Sequence, residues 1–422
     1  MNRRSLLRAL GVSGTLAGCA APVTPDSGEG TPPVTPDVDS PPPAPPATVP
    51  LGYTYVRPDG NRLVDGSGSL PETDPVDVAL GARSEWVVGV PHDDGVLLGV
   101  VTGEGTDAVS VDGREAAPTD ADLGPARGPP LLVGGDDPGF APALGSPTTH
   151  PVPTTGGWAS VAPDGVVRLP GGPNADVDAL PDARIVGAAG RLYVLAGRTD
   201  AYAHGVLGDE LEARSVAVLD PAGGVERTLD VPAGVVEGLV PIVADVDGDG
   251  EREVVVTTSD ADRGSRLVAL STSGASLVGP AVGTGFRWRH QLAVAPFGPD
   301  GETELAAVKT PHVGGTAEFY RARGGRLDLV AERRGYSTHA IGSRNLDGAV
   351  AGDFDGDGRV ELLLPDDPQR SLAGLRRVDA RVEDVWRLPL GGRSTTNLCA
   401  VPTGSGIVVA VGVGETLRVW PA

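Results

Sequence analysis

Apolar residues along most of this chain come in short runs, mainly of valine and leucine, between clusters of glycine, aspartate and proline. Runs of about four to eight apolar residues bounded by turn-forming residues are typical of β-strands joined by tight turns. No sustained helical periodicity follows residue 20. The pattern therefore predicts an all-β fold with many short strands.

Two of these runs lead into nearly identical acidic segments, VADVDGDGEREVVV from Val243 and VAGDFDGDGRVELLL from Val350. A weaker copy, FGPDGETELAAV, lies between them at residues 297–308. The copies are roughly 50 to 60 residues apart, which is enough for four strands in each unit. Four-stranded units in succession predict the blades of a β-propeller.

Counting such units back through the body predicts seven blades. Six or eight remain the alternatives, because residues 100–160 are poorly patterned. The last unit has only three strands before the chain ends. Residues 52–66, GYTYVRPDGNRLVDG, are predicted to supply the fourth strand and to close the ring without an unpaired edge. The propeller is thus expected to cover residues 51–422.

The charge balance narrows the possible partners. The chain carries 56 acidic and 34 basic residues, a formal net charge of −22, and its body contains no basic run. A nucleic-acid partner is therefore not expected. Of the two cysteines, Cys399 lies in an apolar run and is predicted to pack in the core without a disulfide.

The N-terminal segment MNRRSLLRALGVSGTLAGCA has the features of an export signal. Its paired arginines resemble a twin-arginine signal, and the apolar stretch after them is too short to span a bilayer. The LAGC box ending at Cys19 resembles a bacterial lipoprotein signal, which implies cleavage of residues 1–18 and lipidation of Cys19. An ordinary signal peptide with a chance cysteine is the alternative. Residues 19–50 are rich in proline and predict a disordered stalk.

The acidic segments place three aspartates at alternate positions, with glycines that allow a tight loop to wrap around one point. Several hard oxygen donors around one point suit calcium. The predicted ligands are the side chains of Asp245, Asp247, Asp249 and Glu253 with the carbonyl of Glu251, and those of Asp353, Asp355, Asp357 and Glu361 with the carbonyl of Arg359. An EF-hand is excluded, because its twelfth-position acid is replaced by Val256 and Leu364 and no helix is predicted beside either loop.

These two segments resemble the FG-GAP/VCBS repeats of integrin-α-type β-propellers. The resemblance implies that each acidic loop joins the first two strands of a blade and binds structural Ca²⁺. Both segments have glutamate where aspartate is common at the ninth position, at Glu253 and Glu361. A solvated acidic turn without metal and a catalytic site are the alternatives for these loops.

Blade topology predicts a second candidate surface on the opposite face. In a four-stranded meander, the loops after the second strand and the connections between blades lie at the end opposite the acidic loops. The residues predicted there are His204, Arg287, His290, His312, His339 and Arg344. They are candidates for an anionic or sugar-like ligand or, through three histidines, for a transition metal. The alternative is that they never converge.

Two functions remain open from the sequence. The first is a membrane-anchored, extracytoplasmic, calcium-binding propeller that acts as a binding, adhesion or scaffold module for a glycan or protein ligand. The second is an extracytoplasmic polysaccharide lyase or hydrolase that uses the histidine and arginine face. The fold does not choose between them.

Overall fold

A computed structural model of the protein describes residues 42–202 and 204–422. These residues form strands joined by turns and loops, and their strands assemble into eight sheets. The first strands in chain order are β1 (Leu51–Tyr53), β2 (Leu63–Ser67), β3 (Val76–Ala79), β4 (Ser84–His92), β5 (Gly95–Thr102), β6 (Gly105–Asp112), β7 (Glu115–Pro118), β8 (Leu131–Val133), β9 (Gly139–Phe140), β10 (Val152–Thr154), β11 (Gly157–Val161), β12 (Val166–Arg168) and β13 (Ala175–Asp176).

The central part of the chain supplies three consecutive sheets. Their strands are β14 (Val186–Ala188), β15 (Arg191–Ala196), β16 (Ser215–Leu219), β17 (Val225–Asp230), β18 (Val235–Val236), β19 (Ile242–Ala244), β20 (Glu253–Asp260), β21 (Gly264–Leu270), β22 (Ser276–Val278), β23 (Arg289–Ala295), β24 (Glu304–Lys309), β25 (Thr316–Arg323) and β26 (Arg326–Arg334). The remaining strands are β27 (Val350–Asp353), β28 (Glu361–Pro365), β29 (Ser371–Val378), β30 (Arg381–Pro389), β31 (Cys399–Pro402), β32 (Ile407–Val413) and β33 (Thr416–Trp420).

The eight sheets are the blades of a β-propeller, which confirms the predicted fold class. We number the blades along the chain: blade 1 is β4–β7, blade 2 is β1 with β8 and β9, blade 3 is β10–β13, blade 4 is β14–β17, blade 5 is β18–β22, blade 6 is β23–β26, blade 7 is β2 with β27–β30, and blade 8 is β3 with β31–β33. The predicted count of seven is wrong. The poorly patterned part of the chain and the residues just after it contribute to two blades, because β8 and β9 belong to blade 2 and β10–β13 to blade 3. Blade 2 is hard to recognise because β8 and β9 are very short and β1 comes from far upstream.

The ring closes through a different segment from the one predicted. The fourth strand of blade 8 is β3, which pairs antiparallel with β33, so Val76 lies opposite Val419. Residues 52–66 instead contribute β1 to blade 2 and most of β2, which pairs parallel with β27 in blade 7. The prediction failed because three strand-like segments compete near the N-terminus, and only pairing with the distant C-terminal strands distinguishes them.

Between β1 and β2, residues 54–62 run along the first strands of successive blades, and we call this segment the inner strap. Its bonds are, in chain order, Gly187 N–H to Pro58 O (2.8 Å), Val243 N–H to Asp59 O (2.9 Å), Val294 N–H to Asn61 Oδ1 (3.0 Å) and Ala351 N–H to Arg62 O (2.7 Å). The strap passes so close to its neighbours that a Cβ on Gly60 would lie 2.1 Å from the Pro241 carbonyl oxygen. Glycine is therefore required there, also because its φ is +84°. The strap joins blades 4 to 7 through one continuous segment.

The core lies between neighbouring blades. Every residue of β21 and β23 is buried, because each sheet packs against a neighbour on both faces. This explains why the strands read as continuous apolar runs and not as alternating ones. Cys399 is buried and free, as predicted.

The predicted stalk extends to residue 50, but part of it lies against the propeller. The Trp158 indole N–H donates to the Pro42 carbonyl at 3.0 Å. The signal segment, Cys19 and the stalk up to residue 41 lie outside the described residues.

Candidate functional site

Antiparallel pairing within the blades separates two sets of loops. The loops between the first and second strands of each blade lie at one end, which we call the acidic face. The loops after the second strand and the connections between blades lie at the other end, which we call the histidine face. The acidic loops 245–252 and 354–360 connect β19 to β20 and β27 to β28, so they lie on the acidic face, as predicted.

The loop of blade 5 folds around its own carboxylates. Asp245 accepts hydrogen bonds from the backbone N–H groups of Gly248 (2.7 Å) and Gly250 (3.1 Å), both of which have positive φ. Glu253 is buried at the start of β20, and its Oε2 accepts the Val246 N–H at 2.9 Å. One oxygen from each of three carboxylates comes within 4.8 Å of the others, and the group consists of Asp245, Asp247 and Glu253.

Asp249 is not part of that group, and its Oδ1 accepts the Glu251 backbone N–H at 2.8 Å. Burial raises the pKa of Glu253, the hydrogen bond from Val246 lowers it, and the three loop aspartates raise it further. The pKa of Glu253 therefore reports a concentration of negative charge that a cation would relieve. This donor set, all oxygen with a buried glutamate, fits a hard divalent cation.

The loop of blade 7 repeats this geometry bond for bond, but an arginine enters it. Asp353 accepts the N–H groups of Gly356 (2.9 Å) and Gly358 (3.2 Å), as its counterpart does in blade 5. The Arg376 guanidinium, from β29, then reaches into the loop. It contacts Asp355 (2.6 Å), Asp357 (2.8 Å) and Glu361.

The guanidinium provides positive charge where a metal ion would otherwise be needed. Burial raises the pKa of Glu361 to about 7, even though Arg376 lowers it. Asp353, Asp355 and Asp357 still lie close enough to share an ion, but the fit is poorer than in blade 5 because a cation already lies among them. The Arg359 side chain forms no ion pair with the loop carboxylates within the described structure. Its backbone N–H donates to Asp357 Oδ1 at 3.0 Å.

The weak copy in blade 6 also has an arginine. Arg321 on β25 contacts Glu302 and Glu304, at the place where Arg376 contacts its own loop. Strand pairing places Arg321 opposite Glu304 and Arg376 opposite Glu361. The corresponding residue opposite Glu253 is Ser271, just after β21. Of the three loops, only that of blade 5 lacks this arginine.

On the histidine face, three predicted histidines gather around the buried Trp288. The centroid of its ring lies 5.3 Å from that of His290, 6.4 Å from His312 and 5.1 Å from His339. His290 is 1% exposed, and neither of its ring nitrogens has a hydrogen-bond partner among the described residues. Burial lowers the pKa of His290 well below its usual value.

The histidines converge as rings but not as a metal centre. Within residues 42–202 and 204–422, two groups of potential ligand atoms lie close enough to share an ion, and both consist of loop carboxylates. His339 uses its Nε2 to contact the Ser343 carbonyl at 2.8 Å. The transition-metal alternative therefore has no support from the geometry.

His204 lies in a separate cluster of buried polar groups. Its Nδ1 contacts the Glu237 carboxyl group, which also accepts a hydrogen bond from the Ser259 hydroxyl. The exposed Phe286 stacks on the His204 ring with centroids 5.0 Å apart. Nearby, Glu212 is buried and its Oε2 has no partner in the described structure.

Burial raises the pKa of Glu212 to about 9, and repulsion from Glu237, Asp209 and Asp182 adds to the shift. Glu212 is therefore a neutral acid at pH 7, and the Glu237 carboxyl group lies near it. Two neighbouring carboxyl groups in different environments are an arrangement that can transfer protons. Sequence analysis missed both glutamates because they lie in loop sequence without a recognisable motif and are 25 positions apart.

The two predicted arginines of this face have different surroundings. Arg287 is exposed. Arg344 bridges Asp182 and Asp209, each at 2.8 Å, so its guanidinium is already paired. His92 is the last residue of β4.

The comparisons with known proteins define the class of fold. No protein-family model matches the chain, and no curated protein matches its sequence. Among solved structures, the chain is similar to the quinohemoprotein alcohol dehydrogenase of Comamonas testosteroni, with 12% identity and a TM-score of 0.50, over 87% of this chain and 80% of that one. It is also similar to a quinohemoprotein alcohol dehydrogenase of Pseudomonas putida HK5, with 10% identity and a TM-score of 0.51, over 87% of this chain and 79% of that one. At this identity the likeness shows the β-propeller fold alone.

Proposed function

We propose that the protein is a calcium-binding β-propeller that acts as a binding or scaffold module outside the cytoplasm. The observation that carries the proposal is the blade 5 loop, where Asp245, Asp247 and Glu253 converge without an internal cation. The position of this loop between the first two strands of a blade supports its kinship with FG-GAP/VCBS repeats. Calcium at this loop rigidifies the acidic face and leaves the histidine face for the ligand.

Calcium binding is tested by thermal unfolding and calorimetry on the purified full chain. A metal that binds only the folded state stabilises it, so EDTA is expected to lower the melting temperature and added calcium to restore it. The Asp245→Asn/Asp247→Asn variant should lose the response, while the matched Asp107→Asn variant, in blade 1, should keep it. An EDTA-insensitive melting curve together with no calcium binding by calorimetry would refute the proposal.

The location rests on the N-terminal residues, which lie outside the described part of the chain. No helix in the described residues has the length and apolar character needed to cross a bilayer. Lipidation of Cys19 would hold the propeller at a membrane through the proline-rich segment. Labelling with radioactive palmitate in a bacterial host should depend on Cys19, and equal labelling of Cys19→Ala would rule out the anchor.

A hydrolase that acts on polysaccharides is the second candidate, and the Glu212 cluster favours it. Glu212 is a neutral acid near the buried Glu237, and His204 contacts the Glu237 carboxyl group. We expect such an enzyme to release new reducing ends from a polysaccharide and to lose this activity in the Glu212→Gln variant. Equal release by Glu212→Gln and the unmodified chain across a polysaccharide panel would remove this candidate.

A further inference from the structure

A cleft on the histidine face opens between blades 7 and 8, away from the Glu212 cluster and the acidic loops. It has an inner part of about 80 Å³ and an outer part of about 570 Å³, which share several wall residues and are therefore continuous. The combined size is in the range of small-molecule sites. The polar wall is formed by Ser343, Asn345, Gln369, Ser394, Thr395 and Thr396.

The charge of this cleft is opposite to that of the molecule. The chain has 56 acidic residues and a net charge of −22, yet no aspartate or glutamate lines either part of the cleft. Arg83 and Arg393 line its outer part. Both are exposed, and neither forms an ion pair with a carboxylate of the described residues. Two guanidinium groups without a carboxylate partner, in a cleft that no acidic residue lines, form a local positive site.

Arg393 is held in place for recognition. Its Nε donates to the Gln369 side-chain carbonyl at 2.9 Å, which leaves the two terminal nitrogens free to face a ligand. Gln369 is itself fixed, because its side-chain NH2 group donates to the Ser337 hydroxyl at 3.1 Å and its backbone carbonyl accepts the Ser394 backbone N–H at 2.9 Å. It also has a φ of +55°, a strained value for a residue other than glycine. An arginine fixed through Nε presents a two-donor fork that matches a carboxylate.

Hydrogen bonds of Ser84 connect the two sides of the cleft near Arg83. The Ser84 and Thr395 hydroxyl groups are 2.7 Å apart, and the Ser84 N–H donates to Gly414 at 2.8 Å. Thr338 and His339 line the inner part of the cleft.

We propose that the blade 7–8 cleft binds an acidic saccharide. Arg393 and Arg83 receive its carboxylate or sulfate group, and the serine, threonine, asparagine and glutamine side chains receive its hydroxyls. The two guanidinium groups favour an anionic ligand. The hydroxyl- and amide-rich wall favours a ligand with many hydroxyl groups. The inference rests on the proposed binding function and names its ligand class, but it does not depend on the calcium loop.

The test is calorimetry of the full chain with three oligosaccharides of equal length and linkage. They are an oligoglucuronate, which carries carboxylates, a sulfated oligoglucose, which carries sulfates, and the neutral oligoglucose. We expect an acidic oligosaccharide to bind at least about tenfold more tightly than the neutral one, the equivalent of about 1.4 kcal/mol. The tighter of the two acidic ligands identifies the anion. Equal or tighter binding of the neutral oligosaccharide, or no binding of either acidic one, would overturn the proposal.

Substitutions locate the binding. Arg83→Ala/Arg393→Ala should weaken acidic binding at least about tenfold and lower its salt dependence, whereas Arg393→Lys should retain part of it because lysine keeps the charge but loses the fork. The control is Arg114→Ala, an exposed arginine in the turn between β6 and β7. Unchanged binding in the double variant would place the ligand elsewhere and reject the cleft.

The same preparations distinguish failure of this inference from failure of the calcium proposal. Calcium titration of Arg83→Ala/Arg393→Ala should match that of the unmodified chain, because neither arginine contacts the acidic loops. Conversely, the Asp245→Asn/Asp247→Asn variant should lose calcium and still bind the acidic oligosaccharide. Loss of saccharide binding in the calcium-site variant alone would show that the ligand binds the acidic face and reject the cleft.

Discussion

A single position, opposite the glutamate that begins the second strand of a blade, distinguishes the three acidic loops of this propeller. Arg376 and Arg321 extend from this position into the loops of blades 7 and 6, whereas Ser271 occupies it in blade 5. A guanidinium and a divalent cation neutralise the same carboxylates, so one excludes the other. The residue at this position therefore determines which loop is suited to calcium.

The first prediction exchanges these residues. Ser271→Arg should abolish calcium binding to the blade 5 loop, because the new guanidinium can reach Asp247 and Glu253 as Arg376 reaches its own loop. Arg376→Ser should create calcium binding at Asp353, Asp355 and Asp357. Calorimetric stoichiometry measures both changes, and Ser273→Arg, two residues further on, is the control. Unchanged stoichiometry in both exchanges would show that arginine does not replace the metal.

The second prediction concerns Glu212, whose pKa is raised from 4.5 to about 9. Between these values the unfolded chain loses the proton and the folded chain keeps it, so stability falls as the pH rises through this window. Glu212→Gln should remove that fall, and its free energy of unfolding at pH 8 should exceed that of the unmodified chain by at least about 1.4 kcal/mol, the equivalent of one pKa unit.

Urea unfolding at pH 5 and pH 8 measures the effect. The control is Glu210→Gln, an exposed neighbour whose replacement should leave the pH dependence unchanged. If Glu212→Gln and the unmodified chain lose the same stability between the two pH values, Glu212 is ionised in the folded protein and does not serve as a neutral acid.

At the scale of the structural elements, the inner strap connects four blades, 4 to 7, through the single segment 54–62. It satisfies backbone groups on the first strands of blades 4 to 7. In blades 4 to 6 these strands have no neighbouring strand on that side, whereas in blade 7 β2 also pairs with β27. Asn61 makes the most specific of these contacts: its amide donates to the Val294 carbonyl at 2.8 Å and accepts the Val294 N–H at 3.0 Å. The side chain therefore substitutes for a strand residue beside β23.

The third prediction follows from this pair of bonds. Asn61→Ala leaves a buried donor and a buried acceptor unsatisfied, and should lower the free energy of unfolding by about 2 kcal/mol or more. Chemical denaturation is the measurement, and Asn174→Ala, at an exposed site in blade 3, is the control. Equal stability of the two variants would mean that water replaces the strap's bonds.

At the scale of the whole molecule, one buried ion cluster joins segments that are far apart in the sequence. Asp347 is fully buried between Arg62 of the strap and Arg184 of the connection before blade 4. Burial alone would raise the pKa of Asp347, but Arg184 and Arg62 outweigh it and hold the pKa well below its usual range. The cluster therefore remains charged, and it requires all three segments to be in place.

The fourth prediction is that Asp347→Asn destabilises the propeller by about 3–5 kcal/mol, because it leaves two buried guanidinium groups facing each other. Because its pKa is lowered on folding, ionised Asp347 contributes fully to the free energy of unfolding at pH values above its ordinary pKa of 3.8. This contribution is lost as the pH falls through the lower pKa of the folded state. The stability difference between variant and parent should therefore shrink in strong acid.

Urea unfolding of a second variant separates the charge from its position. Asp347→Leu/Arg62→Met/Arg184→Met removes all three charges and should be far less destabilised than Asp347→Asn, since no buried charge is left without a partner. If the triple variant is the less stable of the two, packing around these side chains matters more than their charge.

The local sequence pattern was sufficient to predict the long apolar strands, the tight turns and the positions of the acidic loops. Apolar runs such as EVVVTTSD mark strands buried on both faces, and the glycines of the acidic loops mark turns with positive φ. Antiparallel pairing of neighbours then separates the acidic loops from the histidines without further information. These features could be predicted because each depends on residues close together in the chain.

The blade count, the ring closure, the strap and the chemistry of both faces depend on residues that are far apart. Asp77 and Arg418 form the ion pair across the closure although they are 341 positions apart, and Arg376 reaches Glu361 from the neighbouring strand. No local pattern records such partners, because the free energy that selects them comes from packing the whole ring. The sequence therefore indicated where calcium and ligands were to be sought, and the assembled blades showed which loop lacks its own cation and which cleft lacks acids.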